Sequence, residues 1–306
     1  MHKGKGYAMS WAFKKLFSED FQYDAVVIID ADNIVHKDFL KEISESFKSG
    51  CKAVQGYIDA KNPYSSWVSA SYYITHLCLN KLYQKARHNI GFPVQLNGTG
   101  FAIKTELLKT LSWDESCLTE DMELTVKMSL LGIFASYNEK AVIYDEKPID
   151  FIASYKQRTR WMQGQSDVLA RYILPLLKNE EKINPLKIID CIIYLIQPYI
   201  FVITGIITVL NIIQLFVPVK FIPIPFEETF IPQLSAAVQI FSVPLYLFII
   251  NRLNLKIIKY YIPYLIFMYS WIPVSFMGIL NRKKKEWIHT KHSVCISKSK
   301  ENTLNI

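Results

Sequence analysis

The sequence has no C-x-x-C pair: its five cysteines (Cys51, Cys78, Cys117, Cys191, Cys295) lie far apart. That spacing argues against structural zinc and a disulfide framework and fits a reducing cytosolic setting. There is no block of like charge either. The 35 Lys and Arg residues exceed the 27 Asp and Glu residues by +8, but they are spread along the chain. Such an excess suits nucleotide phosphates or the acidic face of a membrane. Nucleic acid is not an expected partner, because no basic run is interleaved with aromatics in the first half. The N-terminus has no signal-peptide pattern, and Met1 leads straight into Lys3-Gly4-Lys5-Gly6. This turn is shorter than a Walker P-loop. Its amides and the Lys5 charge can meet a phosphate, or it is simply a solvated basic terminus. Finally, no strand precedes the first helical pattern, although a doubly wound nucleotide domain opens on one. The expectation is a chain truncated at its N-terminus.

What is present divides in two. Of 306 residues, 51% are hydrophobic, and the long apolar runs begin only near Ile188. Before them, Met9, Phe13 and Leu16 recur at helical spacing, with Ser18 to Tyr23 as the exit loop. Ala25 to Ile29 is a continuous apolar run, the pattern of a parallel strand buried on both faces. Phe39, Ile43 and Phe47 mark an amphipathic helix closed by Ser49-Gly50, and Lys52 to Ile58 is the next strand. Together these form a βαβ unit of an open α/β sheet. Helices are expected over Trp67–Arg87, Thr119–Leu131 and Phe151–Tyr172, with short strands at Ile133–Tyr137 and Ala141–Tyr144.

Three apolar stretches follow: Ile188–Val217, Ile231–Ile250 and Ile257–Leu280. A bilayer needs about 20 apolar residues per helical crossing. Arg252, Lys256 and Lys259 lie between the second and third stretches, and Arg282 to Lys285 follow the third. The positive-inside rule puts both basic segments in the cytoplasm. Three full crossings cannot do so; two crossings can, with the third stretch re-entrant or interfacial. The domain reading is 1–150 as a partial α/β domain and 151–185 as interfacial helices. Residues 186–281 are then transmembrane and re-entrant or interfacial, and 282–306 form a basic cytoplasmic tail.

Three clusters carry chemistry. Asp30-Ala31-Asp32 ends the first apolar strand, where open α/β sheets place ligands. Two carboxylates one residue apart can share a divalent ion with a diphosphate. A strand-ending Asx turn is the plainer alternative, and a dehalogenase-type phosphatase uses D-x-D as well. Thr119-Glu120-Asp121 opens a helix. Asp121 can serve as general base towards an acceptor hydroxyl, or the triplet is an N-cap followed by dipole-complementing acids. Gln157, Arg160, Trp161 and Gly164 share one helical face. Arg160 suits phosphate, Gln157 hydrogen bonds and Trp161 a pyranose ring; alternatively, this is an interfacial helix with a snorkelling Arg. His289 and His292 have helical spacing for a metal pair, but no Cys or carboxylate completes it. His36, His76 and His88 have no convincing partners.

The ordered set K-G-K-G-Y-A, D-A-D, N-G-T-G, T-E-D and Q-R-T-R-W, followed by membrane helices, resembles family-2 glycosyltransferases over roughly Met1 to Thr290. Within that family it is similar to the membrane synthases of cellulose, hyaluronan, chitin and poly-N-acetylglucosamine. The resemblance implies a GT-A-like open mixed sheet flanked by helices on the cytoplasmic side of a multi-pass cell-membrane protein. It implies a UDP-sugar donor, with UDP-N-acetylglucosamine or UDP-glucose favoured, a growing β-linked polysaccharide as acceptor, and Mg2+ or Mn2+. Asp30 and Asp32 then handle nucleotide and metal, and Lys5 approaches the nucleotide. Asn97, Gly98 and Thr99 line the acceptor pocket. Asp121 is the base, supported by Glu120. Gln157, Arg160 and Trp161 hold the diphosphate and the polymer end, and Trp287 and Thr290 belong to a gating W-x-T region. The lipid bilayer and accessory synthase subunits are the implied partners. The family's uracil-contacting strand and N-terminal membrane helix are missing, so an inactive or partner subunit is the alternative.

Overall fold

The computed structural model describes residues 4–18, 23–111, 113–178, 183–214 and 241–284. It opens with helix α1 (Lys5–Ser18), strands β1 (Ala25–Ile28) and β2 (Ile34–Val35), helix α2 (Phe39–Lys48) and strand β3 (Ala53–Ala60). Helix α3 (Trp67–Cys78) passes through a π-helical segment (Leu79–Lys85) into α4 (Ala86–Asn89). Then come β4 (Phe101–Lys104), α5 (Thr105–Thr110), α6 (Glu120–Leu130), β5 (Ser136–Asp145) and the long α7 (Phe151–Leu177). The apolar part supplies α8 (Pro185–Leu195), α9 (Gln197–Gln214), α10 (241–249), α11 (Leu255–Tyr269) and α12 (Trp271–Leu280).

The five strands form one mixed sheet in the order β1-β4-β3-β5-β2. Only β3 and β5 pair in parallel; β1 with β4, β4 with β3, and β2 with β5 are antiparallel. Side chains on a strand alternate between faces, and the core divides accordingly. Ala53, Phe101 and Ile103 join Phe13, Leu107, Leu124 and Met128 beneath α1, α5 and α6. Val54 and Ala102 face the other way, against Phe39 and Ile43 of α2. Each large side chain buried in this way contributes about 1.5–3 kcal/mol. Helices therefore cover both faces, as expected of an α/β sheet.

Two strand expectations need correction. Ala25–Ile28 is not a parallel strand buried on both faces. It pairs antiparallel with β4, only Ile28 is buried, and β4 separates it from β3 in the βαβ unit. The second correction is that Ile133–Tyr137 and Ala141–Tyr144 are not two strands. A single strand, β5, begins at Ser136 and continues through the second, and its register against β3 jumps from Gly56↔Asn138 to Tyr57↔Val142. Residues 139–141 have no partner in this register: Glu139 is held by Lys81 and Lys85 of the π-helical segment, while Ala141 is buried in the core.

The antiparallel return positions the site. Because Ile28 pairs with Phe101, the chain entering β4 arrives at the end of β1. The N-G-T-G turn thus lies beside Asp30. On the other side, Met122 and Val126 of α6 pack with Val168 and Leu176 of α7 and with Ile188 and Leu195 of α8.

In the apolar part, one helical run among the described residues is long and apolar enough to cross a membrane, Leu255–Leu280. The pair α8–α9 passes the same test jointly but is bent by 59° at its break. The length thus falls on the stretch the charge pattern made re-entrant, and the first stretch is the broken one. Of Ile231–Ile250, only 241 onward lies within the described residues. Leu255 and Ile262 are 84% and 71% exposed, so this run turns large apolar side chains outward.

Candidate active site

Asp30 lies two residues past the end of β1. Its backbone carbonyl accepts from Asn33 N at 3.0 Å, closing a tight turn. Its Oδ1 receives Lys5 Nζ at 2.6 Å, a contact that an Asx turn does not supply. Lys5 sits in the first turn of α1 and also donates to Gly98 O at 2.5 Å. Its ammonium lies 3.7 Å from Glu120 Oε1. Burial alone would lower the Lys5 pKa, but the carboxylates of Asp30, Glu120 and Asp121 outweigh it and hold the pKa above its ordinary value. Lys5 is thus bound in the site and is not a solvated terminus.

The turn 97–100 is gripped from several sides. Gly98 and Gly100 have φ of 75° and 64°, a region open to glycine at little cost. The Thr99 hydroxyl accepts from Asp30 N at 3.0 Å. With its amide oriented by the hydrogen-bond network, Asn33 accepts from that hydroxyl at 2.8 Å and donates to Asp32 Oδ1 at 3.1 Å and Asp145 Oδ1 at 2.9 Å. Thr125 Oγ1 of α6 accepts from Leu96 N at 3.1 Å. Asn97 N donates to Gln55 Oε1 at 2.9 Å.

Glu120 and Asp121 open α6 facing this turn. Glu120 is 8% exposed, and a Cβ added to Gly98 would stand 3.4 Å from Asp121 Oδ2. Burial, reinforced by the neighbouring Glu120 carboxylate, pushes the Asp121 pKa up to about 7. A carboxylate tuned this way can hold a proton at neutral pH and release it, as a general base must. Thr119 occupies the N-cap position, its carbonyl accepting from Glu123 N at 3.0 Å, but it does not cap with its side chain. Its Oγ1 is buried without a partner among the described residues. It is pressed instead against Gly164 of α7.

That contact sets α7 against the acidic end of α6. Arg160 comes to the carboxylates: burial lowers its pKa, while Glu120, Asp121 and Asp30 act in the opposite sense. Its Nε is buried with no hydrogen-bond partner among the described residues. Gln157 and Trp161 share Tyr72 of α3. Gln157 Oε1 accepts from Tyr72 OH at 3.3 Å, and the Trp161 ring meets Tyr72 edge-on at 6.3 Å. The middle of α7 is buried from Met162 to Ser166.

Lys5, Asp30, Gly98, Glu120, Asp121 and Arg160 therefore surround one place. Asp32 stands two residues along, with its backbone carbonyl held by Lys61 Nζ at 2.8 Å. Trp287 and Thr290 lie outside the described residues, as do His289 and His292.

Three residues escaped the sequence reading. Gln55 is fully buried in β3; its signal is a lone amide in the apolar run Ala53–Ile58. Tyr72 looks like any aromatic helix residue. Arg158, also fully buried, is the neighbouring basic residue of Q-R-T-R-W. It donates to Ser270 Oγ at 2.8 Å and lies 4.1 Å from the Phe267 ring centroid. It thereby ties α7 to the break between α11 and α12.

No group of three or more metal-binding side chains occurs among the described residues. The donor set still fits magnesium or manganese, which are commonly held by one or two carboxylates and complete their shell with substrate phosphates and water. Asp30 and Asp32, one residue apart just past β1, are the two carboxylates that would hold such an ion.

Comparison with known proteins gives the family and the fold. Residues 25–280 match the family model described as "Glycosyl transferase family group 2". A protein named "Probable glycosyltransferase YdaM" from Bacillus subtilis is 26% identical over 59% of this chain and 42% of its own length. The poly-beta-1,6-N-acetyl-D-glucosamine synthase of Staphylococcus epidermidis is 26% identical over 59% of this chain and 43% of its own. The match thus spans less than half of these relatives. Among solved structures, the mannosyltransferase PcManGT of Pyrobaculum calidifontis, in complex with GDP-Man and Mn2+, superposes with a TM-score of 0.53. That alignment covers 92% of this chain and 67% of the other at 16% identity, so it shows a shared GT-A-like fold.

Proposed function

The chain belongs to glycosyl transferase family group 2, and we propose that it transfers a hexose or N-acetylhexosamine from a UDP-sugar to a growing β-linked polysaccharide with inversion. The observation that carries this reading is the convergence of two cations and three carboxylates on one place: Lys5 and Arg160 with Asp30, Glu120 and Asp121. Asp121 removes the proton from the acceptor hydroxyl. The oxygen attacks the anomeric carbon from the face opposite the diphosphate. The bond from that carbon to the β-phosphate oxygen breaks in the same step, which inverts the centre. Lys5 and Arg160 meet the charge on the departing UDP. Glu120 keeps the Asp121 proton affinity high by repulsion. A divalent ion on Asp30 and Asp32 would supply further charge neutralisation for the diphosphate.

Gln157 and Trp161 lie on the face of α7 that carries Arg160, against Tyr72, and suit the polymer end. The turn 97–100, beside Asp121, suits the acceptor sugar. An N-acetylglucosamine donor is favoured by the named activity of the staphylococcal relatives. The outward apolar face of Leu255–Leu280 suits a lipid bilayer, with the sheet domain on the cytoplasmic side and product handed outward during synthesis. Accessory subunits fit the same scheme.

The test is to incubate membranes carrying the full-length protein with labelled UDP-N-acetylglucosamine, UDP-glucose and GDP-mannose, with and without manganese. Polymer labelled from a UDP-sugar in a metal-dependent way supports the proposal. Label from GDP-mannose alone overturns the donor, and release of sugar phosphate without polymer overturns the reaction class.

A further inference from the structure

Gln55 has no role in the chemistry above, yet its side chain is committed to the site. It lies in the middle of β3, fully buried. Its amide oxygen accepts from Asn97 N at 2.9 Å. Its amide nitrogen faces Gly56 O at 3.0 Å, Thr99 O at 3.1 Å and Gly100 O at 3.3 Å. One amide therefore serves both ends of the N-G-T-G turn, as acceptor at its first residue and as donor at its last two. These backbone groups lie outside the β3–β4 ladder, whose register begins at Phe101. Gly100 O also accepts from Gly56 N at 2.8 Å, so what the Gln55 side chain adds is a partner for Asn97 N and for the carbonyl of the buried Thr99.

Gly100 is also held by backbone bonds to Ile28 O and from Gly56 N, whereas the grips on Gly98 and the Thr99 side chain come from site residues. Gly98 O is held by the Lys5 ammonium, and Thr99 Oγ1 by the backbone of Asp30. In the proposed function, Lys5 and Asp30 turn towards nucleotide and diphosphate when the donor arrives. Gln55 is neutral, sits behind the turn and has nothing to exchange with the donor.

We propose that Gln55 is the positioning residue of the acceptor pocket, fixing the turn 97–100 against Asp121 whether or not the donor is bound. This rests on the transferase reading and on the turn as the acceptor wall. Its chemical requirement is strict. Glutamate at this position accepts but cannot donate, and its charge would face the carbonyls of Thr99 and Gly100. Methionine fills the volume and does neither. Asparagine keeps both functions but is one methylene too short to span the turn.

The experiment uses the full-length protein in membranes, with Gln55→Met, Gln55→Glu and Gln55→Asn. Its first readout is hydrogen exchange in the peptide containing 96–100, measured by mass spectrometry without substrate. The expected result is exchange at least about tenfold faster in Gln55→Met and Gln55→Glu, with β4 still protected. Unchanged exchange at 97–100 overturns the proposal whatever the activity. The second readout is kinetic. The expected variants keep the donor KM within about twofold, lose transfer by about 10- to 100-fold, and hydrolyse a larger share of donor to free sugar. Gln55→Asn falls between them and the parent and keeps the result interpretable should Gln55→Met not fold. Donor KM rising in step with the loss of transfer overturns the positioning role. A parent protein that turns over no nucleotide sugar removes the transferase reading, while the exchange data still decide what Gln55 holds.

Discussion

Gly164 on α7 faces Thr119 at the start of α6 so closely that a Cβ on the glycine would stand 2.5 Å from the threonine methyl. This contact brings the Q-x-x-R-W helix to the T-E-D helix, and so Arg160 to Asp121. Gly164→Ala is therefore expected to force the two helices apart. Overpacking of this kind costs about 1–3 kcal/mol, and transfer should fall with the apparent Tm. The Thr119 side chain makes no cap bond, so adding Thr119→Ala should restore part of both at little cost of its own. Thermal melts and initial rates of the single and double variants check this; a double variant no better than Gly164→Ala contradicts it.

The Asp121 carboxyl predicts a pH profile. A base must be deprotonated, and burial beside Glu120 pushes this pKa up to about 7. The transfer rate should climb as pH rises through about 7 and then level off. The same shift has a stability consequence of opposite sense. A carboxyl whose folded pKa is raised contributes stability below its unfolded pKa, near 3.9, and loses it as pH rises through the folded value. Asp121→Asn should thus melt higher than the parent at about pH 8 and differ less near pH 5. A variant that melts lower at both pH values contradicts the burial argument.

Arg160 contributes a guanidinium whose buried Nε lacks a partner among the described residues. Charge-assisted bonds to phosphate are stronger than neutral ones, and the planar fork is not reproduced by lysine. Arg160→Lys should raise the donor KM by about 10-fold and Arg160→Met by about 100-fold, with folding retained. Donor titrations of the rate measure both; an unchanged KM with lowered kcat would move Arg160 away from ground-state diphosphate binding.

Arg158 should behave differently from its neighbour two residues on. Its charge is met by Ser270 Oγ and by Phe267 O near the carbonyl end of α11, with aromatic faces around it, where a helix dipole favours a cation. Its Nε and second terminal nitrogen have no partner among the described residues, so the buried charge is only partly compensated. Replacing such a group by a filling apolar side chain is often near neutral, whereas truncation leaves a cavity. Arg158→Ala should melt well below Arg158→Met. Equal melting temperatures contradict this account.

The sheet, the helices and the three acidic or basic clusters were readable because each is local: an apolar run, a 3.6-residue period, or a motif a few residues long. Partners far along the chain were not. The run Ala25–Ile29 looked parallel because the antiparallel β4 beside it is a separate segment. The polar residues Asn138 to Lys140 look like a turn between strands, since only pairing with β3 shows one strand continuing. Gln55 meets Asn97 across 42 positions and Arg158 meets Ser270 across 112, and neither pairing leaves a periodic trace. Thr119 fitted the N-cap rule by type and position, but the close approach of Gly164 decided its side chain. Charge placed the crossings by counting loops; the lengths and bends of α8–α9 and α11–α12 depend on packing.

The account stands most directly on Asp121→Asn in the full-length protein, with donor binding by calorimetry and sugar transfer measured on the same preparation. It predicts UDP-sugar affinity within about threefold of the parent and transfer lower by at least about 100-fold, the scale of a lost general base. Normal polymer yield from that variant contradicts it.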